Sequence, residues 1–276
     1  MSRSSSLFVA VAATAATVLG SVIGFTGEAF ARPVNPLPPP ASQDGPGKDL
    51  QTLFDSITLA GKVDAVNDQI YSQCFMSTAI GSSTSTFMFE IAGLAAKNKA
   101  GLYKCGDPNT KALLYDGFND PGDRAVVDFL DTGLSVSTKG FPPGYTGPTV
   151  DNFYPDFGNM FGFYLETGDG NIFYSDDSLN PGGNPQALIY QGKDDGTILK
   201  LPGRQPGDFT DNEFIVAWED KPYLSSDQDF NDLVFGIESI KPKKDVPEPG
   251  AVVGLLAIGS FGVSQMLKRH KQENKN

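Results

Sequence analysis

The sequence predicts an all-β protein, an antiparallel β-sandwich of the jelly-roll type, with a short N-terminal helix and a C-terminal single transmembrane helix. Short segments rich in β-branched and aromatic residues recur along the chain. Glycine, proline, asparagine and aspartate separate them, and no helical pattern lies between them. The candidate strands are residues 85–92, 112–115, 124–130, 160–166, 171–175, 186–191, 213–219 and 233–240.

The N-terminal segment has the pattern of a secretory signal peptide. Arg3 precedes an apolar run from Leu7 to about Phe25, and a small-x-small site ends at Ala31. We expect cleavage after Ala31, the alternative being a retained membrane anchor. Residues 32–48 are rich in proline, which predicts an extended spacer.

The predicted domain covers residues 49–240 and begins with a helix over residues 49–60. Leu50, Leu53, Phe54 and Ile57 recur there at helical spacing. The segments that follow supply the strands, and residues 77–86 and 139–148 are expected to be loops.

The C-terminal segment has three parts in order. Residues 241–250 form a linker with Pro247, Glu248 and Pro249; residues 251–267 are apolar apart from Gln265; residues 268–276 are basic. The apolar part would measure roughly 26 Å as a helix at about 1.5 Å per residue, enough to span a bilayer core. The basic tail then stays cytoplasmic and leaves the domain outside.

This arrangement, over residues 246–271, closely resembles the PEP-CTERM sorting signal of Gram-negative bacteria. The resemblance implies recognition by an exosortase-type membrane enzyme, with the Pro247–Pro249 region as the processing point. It also implies removal of the tail and release of the domain from the inner membrane to the cell surface or outside. The alternative is an ordinary single-span anchor.

Charge and histidine content exclude several functions. Residues 32–245 carry 30 acidic and 16 basic side chains, a formal charge of about −14, which disfavours nucleic-acid binding. The single histidine, His270, lies in the basic tail. The domain therefore has no Ser-His-Asp set, no Cys-His set and no histidine-rich zinc site.

The two cysteines of the chain, Cys74 and Cys105, are 31 residues apart. In an exported protein such a pair is expected to form one disulfide, the alternative being two free thiols.

The densest group of potential ligands lies between the last two candidate strands. Carboxylates packed this closely repel one another, and a hard cation with several oxygen ligands would neutralise them. The sequence therefore predicts a calcium site, against the alternatives of solvated turn residues and catalytic carboxylates. The candidate ligands are Glu219, Asp220, Asp227, Asp229, Asn231 and Asp232. Asp227, Asp229 and Asn231 alternate, so an extended backbone would direct their oxygens to one side.

An EF-hand is excluded, although a D-x-D-x-N pattern begins at Asp227 and Glu238 occupies the twelfth position. Asp232 stands where that loop needs glycine, and no helices flank it. A strand from Leu233 would also carry Glu238 roughly 20 Å away, at about 3.3 Å per residue.

The same stretch resembles the DUF4114 family of bacterial extracellular domains, which have no defined activity. The motifs are residues 161–165, 174–180, 214–220 and, most strongly, 227–235. The similarity extends over about residues 115–240, although Trp218 stands where the family usually has phenylalanine. It implies no enzymatic role.

Three other acidic segments are weaker candidates. Asp176, Asp177 and Asn180, and likewise residues 194–196, are expected to be solvated turns. Residues 116–123 could form a second cation loop, but solvated turn residues are the favoured interpretation there too.

The predicted function is an exported, non-catalytic, calcium-stabilised module of the envelope, biofilm or exopolysaccharide matrix. One alternative is a calcium-dependent carbohydrate-binding module that uses the abundant tyrosine and phenylalanine side chains. A less favoured one is a glycoside hydrolase or lyase with Asp220 and Asp229 as its carboxylate pair. The polar, acidic surroundings of that pair disfavour catalysis, because a catalytic acid needs an apolar cleft to raise its pKa.

Overall fold

The structure is a computed structural model that describes residues 34, 36, 47–79, 82–89, 97–117, 119–139 and 150–243. These residues belong to one compact unit, Gly27–Val246. The predicted signal peptide, sorting motif, transmembrane segment and basic tail lie outside the described residues. Within the described ranges, no helix is long and apolar enough to cross a membrane.

The predicted N-terminal helix is present as α1, Leu50–Ile57. Asp49 begins it, because its side chain accepts a hydrogen bond from the Thr52 N–H at 2.9 Å and so satisfies a free donor of the first turn. Leu50 and Phe54, four residues apart, are buried on one face. The helix is shorter than predicted, because the chain becomes extended at Thr58.

Replacing Asp49 with alanine is expected to lower the free energy of unfolding by about 1 kcal/mol, because two bonds to Thr52 are lost at the start of α1. Urea unfolding would measure the change. Asp55→Ala is the matched control, since Asp55 accepts only an exposed bond from Gln51. Equal effects of the two substitutions would contradict the capping role.

The described strands number seventeen, and every pairing among them is antiparallel. In chain order they are β1 Thr58–Ala60, β2 Gln69–Ile70, β3 Phe75–Ser77, β4 Ser82–Phe89, β5 Lys99–Lys104, β6 Asp107–Tyr115, β7 Arg124–Leu130, β8 Gly133–Lys139, β9 Val150–Pro155, β10 Met160–Glu166, β11 Ile172–Tyr174, β12 Ala187–Gln191, β13 Ile198–Leu199, β14 Gly207–Asp208, β15 Glu213–Trp218, β16 Leu233–Glu238 and β17 Ile240–Pro242.

These strands form three sheets. The largest has eight strands in the order β2-β12-β15-β16-β4-β7-β8-β9. A six-stranded sheet has the order β17-β3-β10-β5-β6, with β11 paired to β10, and a small sheet has the order β1-β13-β14. The structure therefore consists mostly of antiparallel β-sheets with one short helix, in agreement with the predicted class.

Two apolar cores lie on opposite faces of the eight-stranded sheet, because successive side chains of a strand point in opposite directions. On β15, Phe214, Val216 and Trp218 enter the core shared with the six-stranded sheet. Ile215 and Ala217, on the other face, pack in a second core with residues of α1 and of the small sheet. The β15–β16 pair is thus buried on both sides, which explains its continuous run of apolar residues.

The six-stranded sheet brings two aromatic rings onto glycines. A Cβ atom on Gly162 would lie 2.4 Å from the Tyr103 ring, and one on Gly101 would lie 2.8 Å from the Tyr164 ring.

The disulfide between Cys74 and Cys105 is formed, as predicted, and connects the start of β3 to the end of β5.

The strand predictions differ from the structure mainly at short or polar segments. Each of the eight predicted strands overlaps an observed one. The predicted loop over residues 77–86 is wrong in part, because residues 82–86 belong to β4 and pair with β7. Burial explains this: Ser83 and Ser85 are buried, and the Ser85 side chain donates to the Gly236 carbonyl oxygen at 2.9 Å. Of the predicted loop over residues 139–148, only Lys139 is described, and it ends β8.

Candidate metal centre

The candidate site lies in the loop that connects β15 to β16. Trp218 and Leu233 pair directly across these strands, so the two ends of the loop lie side by side. The Asp232 N–H donates to the Trp218 carbonyl oxygen at 3.1 Å, and the Asp220 N–H donates to Asp232 Oδ2 at 2.8 Å. Hairpin pairing therefore brings Glu219 and Asp220 close to Asp232.

The loop backbone is strained at two positions. Gln228 and Phe230 have φ angles of 60° and 56°, and residues other than glycine adopt such angles only at a cost in free energy. The Phe230 side chain is fully buried in the second core, and this packing stabilises the conformation. Because these two positions interrupt an extended backbone, the simple alternation expected of Asp227, Asp229 and Asn231 does not apply.

Three carboxylates converge in this loop. Glu219, Asp227 and Asp232 each offer an oxygen, and these oxygens lie within 4.8 Å of one another. We call these three residues the carboxylate cluster. Each of the three was predicted as a ligand from the sequence, and they come from both ends and the middle of the loop.

Glu219 is the most informative member, because its side chain is 0% exposed. Its Oε1 atom accepts a hydrogen bond from the Phe230 N–H at 2.7 Å. Its Oε2 atom is buried and has no hydrogen-bond partner among the described residues. The nearby Ser226 hydroxyl donates instead to the Tyr223 carbonyl oxygen at 3.1 Å. A buried carboxylate oxygen with no donor is costly unless a proton or a cation satisfies it.

The electrostatics of the cluster favour a positive ligand. Burial raises the pKa of Glu219 to about 7, although the hydrogen bond from the Phe230 N–H lowers it. Burial also raises the pKa of Asp232, and the negative charges of Asp220 and Glu219 raise it further. Without a cation, these groups would hold protons near neutral pH.

Asp229 and Asn231 form a second, fully buried pair beside the cluster. Asn231 Nδ2 donates to Asp229 Oδ2 at 2.8 Å and to the Lys48 carbonyl oxygen at 2.8 Å. The second bond joins the loop to the residue that precedes the N-cap of α1. This contact could not be predicted from the sequence, because 183 residues separate its two partners.

Asp220 is directed toward the six-stranded sheet. Asn98 Nδ2 donates to Asp220 Oδ2 at 3.2 Å, and the Gly168 N–H donates to Asn98 Oδ1 at 3.3 Å. Asp220 and Asp229, the pair suspected of catalysis, are both buried.

The weaker acidic segments form hydrogen-bonded turns. Asp176 accepts bonds from the Ser178 N–H and hydroxyl, and Asp123 accepts bonds from Asn119 and the Asp120 N–H. The expectation that Asp176, Asp177 and Asn180 are solvated is wrong, because all three are buried. Asp194 adopts a φ of 54° and accepts a bond from the Asp211 N–H at 3.2 Å, and Asp195 accepts one from Thr197.

Most of the described aromatic side chains are buried and do not form the predicted carbohydrate platform, although Phe153 is 53% exposed. Tyr103, Tyr115, Tyr164 and Tyr190 are buried, and so are most of the described phenylalanines. They belong to the cores or cover glycines of the six-stranded sheet.

Comparison with known proteins identifies one family. The family model described as "Domain of unknown function (DUF4114)" matches residues 152–239, from within β9 to the end of β16. Comparison with curated proteins and with solved structures gives no match. The matched segment is shorter at its N-terminal end than the resemblance over residues 115–240. It includes the whole carboxylate cluster, so residues 152–239 of this chain are a DUF4114 match that contains the candidate metal centre.

Proposed function

We propose that the carboxylate cluster binds a calcium ion and that the domain is a non-catalytic, calcium-stabilised β-sandwich module. One observation carries the proposal: Glu219 Oε2 is fully buried and has no hydrogen-bond partner among the described residues, and it belongs to a group of three carboxylates whose oxygens lie within 4.8 Å of one another. A divalent cation would satisfy that oxygen and offset the repulsion among the three charges.

The donor set favours calcium over other metals. The cluster offers only oxygen ligands, and neither histidine nor free cysteine occurs among the described residues. Oxygen donors suit the hard cations calcium and magnesium. Calcium accepts six to eight ligands in irregular geometry, whereas magnesium demands a near-ideal octahedron. A strained loop that combines carboxylates with main-chain groups fits the more tolerant ion.

Calcium at this position would stabilise a junction of the domain. The loop closes the β15–β16 pair at the centre of the eight-stranded sheet. Through Asn231 it contacts Lys48, next to α1, and through Asp220 it contacts Asn98, next to β5. The proposed ion would therefore connect the hairpin with the N-terminal segment and the six-stranded sheet. This role is structural and needs no substrate.

The proposed location is outside the inner membrane. The signal-peptide pattern of residues 1–31 and the PEP-CTERM-like segment support export and exosortase-dependent sorting to the envelope, biofilm or exopolysaccharide matrix. The disulfide between Cys74 and Cys105 is compatible with an oxidising compartment. Calcium sites with dissociation constants up to about 1 mM are common in extracellular modules.

Calcium addition is expected to raise the Tm of the full-length protein. At a free calcium concentration about tenfold above Kd, binding contributes about 1.4 kcal/mol, or roughly 3–6 °C for a domain of this size. Differential scanning calorimetry in EDTA and in a calcium series would measure the shift. Magnesium at equal concentrations is the control for a non-specific ionic effect. An unchanged Tm across the calcium series would refute the proposal.

A further inference from the structure

A cleft of about 490 Å³ lies at the opposite end of the β15–β16 pair from the carboxylate cluster. Its floor is the face of the eight-stranded sheet that carries Thr84, Arg124, Glu213 and Glu238, and its wall is the segment over residues 199–209. Glu213 pairs with Glu238, whereas Trp218 pairs with Leu233 at the other end. At about 3.3 Å per residue, the two sites are roughly 17 Å apart.

Both arginines of the described residues line this cleft. Arg124 Nη2 donates to the Gly203 carbonyl oxygen at 2.9 Å, and Arg204 Nη2 lies 3.7 Å from Glu238 Oε1. Partial burial lowers the pKa of Arg124, and the positive charge of Arg204 lowers it further. Two arginines that line one cleft offer donors for a carboxylate ligand, which a guanidinium group binds with paired hydrogen bonds.

Three acidic residues of the cleft limit the charge of a ligand. Glu238 is paired with Arg204, and the Glu213 carboxylate accepts hydrogen bonds from the Thr210 N–H at 2.8 Å and the Thr210 hydroxyl at 3.2 Å. Asp208 is exposed at the rim. These carboxylates would repel a polyphosphate or a heavily sulfated chain. They can, however, accept hydrogen bonds from the hydroxyl groups of a sugar ring that brings one carboxylate into the cleft.

The sheet face beyond the cleft is also suited to a hydroxylated ligand. On β7 and β8, Val127 and Val136 point into the core, so Ser135 and Ser137 point to the outer face. Phe153 of the edge strand β9 pairs with Ser135 and is 53% exposed, with its ring close to Gly133. Hydroxyl groups and one exposed ring next to a charged cleft are a suitable surface for successive sugar rings.

We propose that this cleft binds a uronate unit of an acidic polysaccharide, with Arg124 and Arg204 holding the carboxylate and the acidic residues of the cleft accepting its hydroxyl groups. The chain beyond this unit would lie across the outer face of β7, β8 and β9 toward Phe153. The cleft has a volume typical of small-ligand sites. Because no residue of the carboxylate cluster lines it, saccharide binding is separate from the proposed calcium function.

Isothermal titration of the full-length protein with trigalacturonate would test the proposal, with the same calcium concentration in cell and syringe. Maltotriose is the neutral control ligand. We expect binding of trigalacturonate alone, and affinity should fall about tenfold or more in Arg204→Gln, since a charged hydrogen bond is lost. Arg204→Lys keeps the charge but loses the planar fork, so its affinity should be intermediate. Lys243→Gln removes a positive charge from an exposed position outside the cleft and should change little.

The titrations test both the ligand class and the position of the site. Failure of the wild-type protein to bind trigalacturonate, or equal binding of maltotriose, would overturn the proposed ligand class. Wild-type affinity in Arg204→Gln would overturn the proposed position. Thermal melting of each variant separates loss of the site from loss of the fold, and Arg204→Lys provides a second reading if Arg204→Gln is unstable. Trigalacturonate binding by Glu219→Gln would show that the cleft acts without calcium at the carboxylate cluster.

Discussion

Replacing Glu219 with glutamine is expected to lower calcium affinity at least about a hundredfold, while leaving the calcium-free protein folded. Glutamine keeps the shape of the side chain and an oxygen that can accept the Phe230 N–H bond. It removes the negative charge of the one cluster member that is fully buried. A neutral amide oxygen is a weaker calcium ligand, and the charge of the ligand set tunes calcium affinity over several orders of magnitude.

The same substitution should have the opposite effect on the calcium-free protein. Wild-type Glu219 must either hold a proton or bury an uncompensated charge, and both are unfavourable near neutral pH. Glutamine avoids this cost, so we expect the calcium-free variant to be as stable as the wild type, or more stable. In saturating calcium the order reverses, because only the wild type gains binding free energy. Calcium titration followed by calorimetry would measure both affinity and stability.

Glu213→Gln is the matched control for this experiment. Glu213 begins β15, and Glu219 follows the last residue of that strand. The two variants thus carry the same Glu-to-Gln substitution at opposite ends of one strand. Glu213 is not a member of the carboxylate cluster, and its variant should bind calcium as the wild type does. Equal calcium affinity of Glu219→Gln and the wild type would contradict the assignment of Glu219 as a ligand.

The sequence predicted the elements that depend on local pattern. The apolar spacing of Leu50 and Phe54 gave α1, and runs of β-branched and aromatic residues gave the long strands. The strand predicted over residues 85–92 begins three residues too late, because serine is typical of loops and only the neighbouring strands make Ser83 internal. Sheet pairing of this kind is set by tertiary context rather than by propensity.

The candidate site was predicted in composition but not in detail. The hairpin explains why Glu219 and Asp232 meet, and strand pairing makes such contacts foreseeable. The positive φ angles at Gln228 and Phe230 were not foreseeable, because neither residue is glycine and the buried Phe230 ring stabilises the turn. The contact between Asn231 and Lys48 depends on how the N-terminal segment packs against the domain. The presence of Arg124 and Arg204 in one cleft likewise depends on a fold that brings together residues 80 positions apart.

Raising the pH from 5 to 8 is expected to destabilise the calcium-free protein and to strengthen calcium binding. The pKa of Glu219 is about 7 in the folded state and about 4.5 in the unfolded chain, so the folded state holds this proton longer. Its contribution to stability is complete below about pH 4.5 and is lost as the pH rises through 7. A shift of this size corresponds to about 3 kcal/mol. Asp232, whose pKa is raised by the same burial, acts in the same direction at higher pH.

Calcium should remove this dependence, because the ion replaces the protons and stabilises the ionised carboxylates. Urea unfolding at pH 5, 6, 7 and 8, in EDTA and in saturating calcium, would therefore give two curves that diverge as the pH rises. No histidine occurs among the described residues, so this pH range reports mainly carboxyl groups with raised pKa values. Burial also raises the pKa of Glu213, which lies outside the β15–β16 loop. The variant Glu213→Gln therefore measures how much Glu213 contributes to the pH dependence. In Glu219→Gln the divergence should shrink by about 3 kcal/mol. A wild-type protein that becomes more stable in EDTA between pH 5 and 8 would contradict the buried, calcium-satisfied role of Glu219.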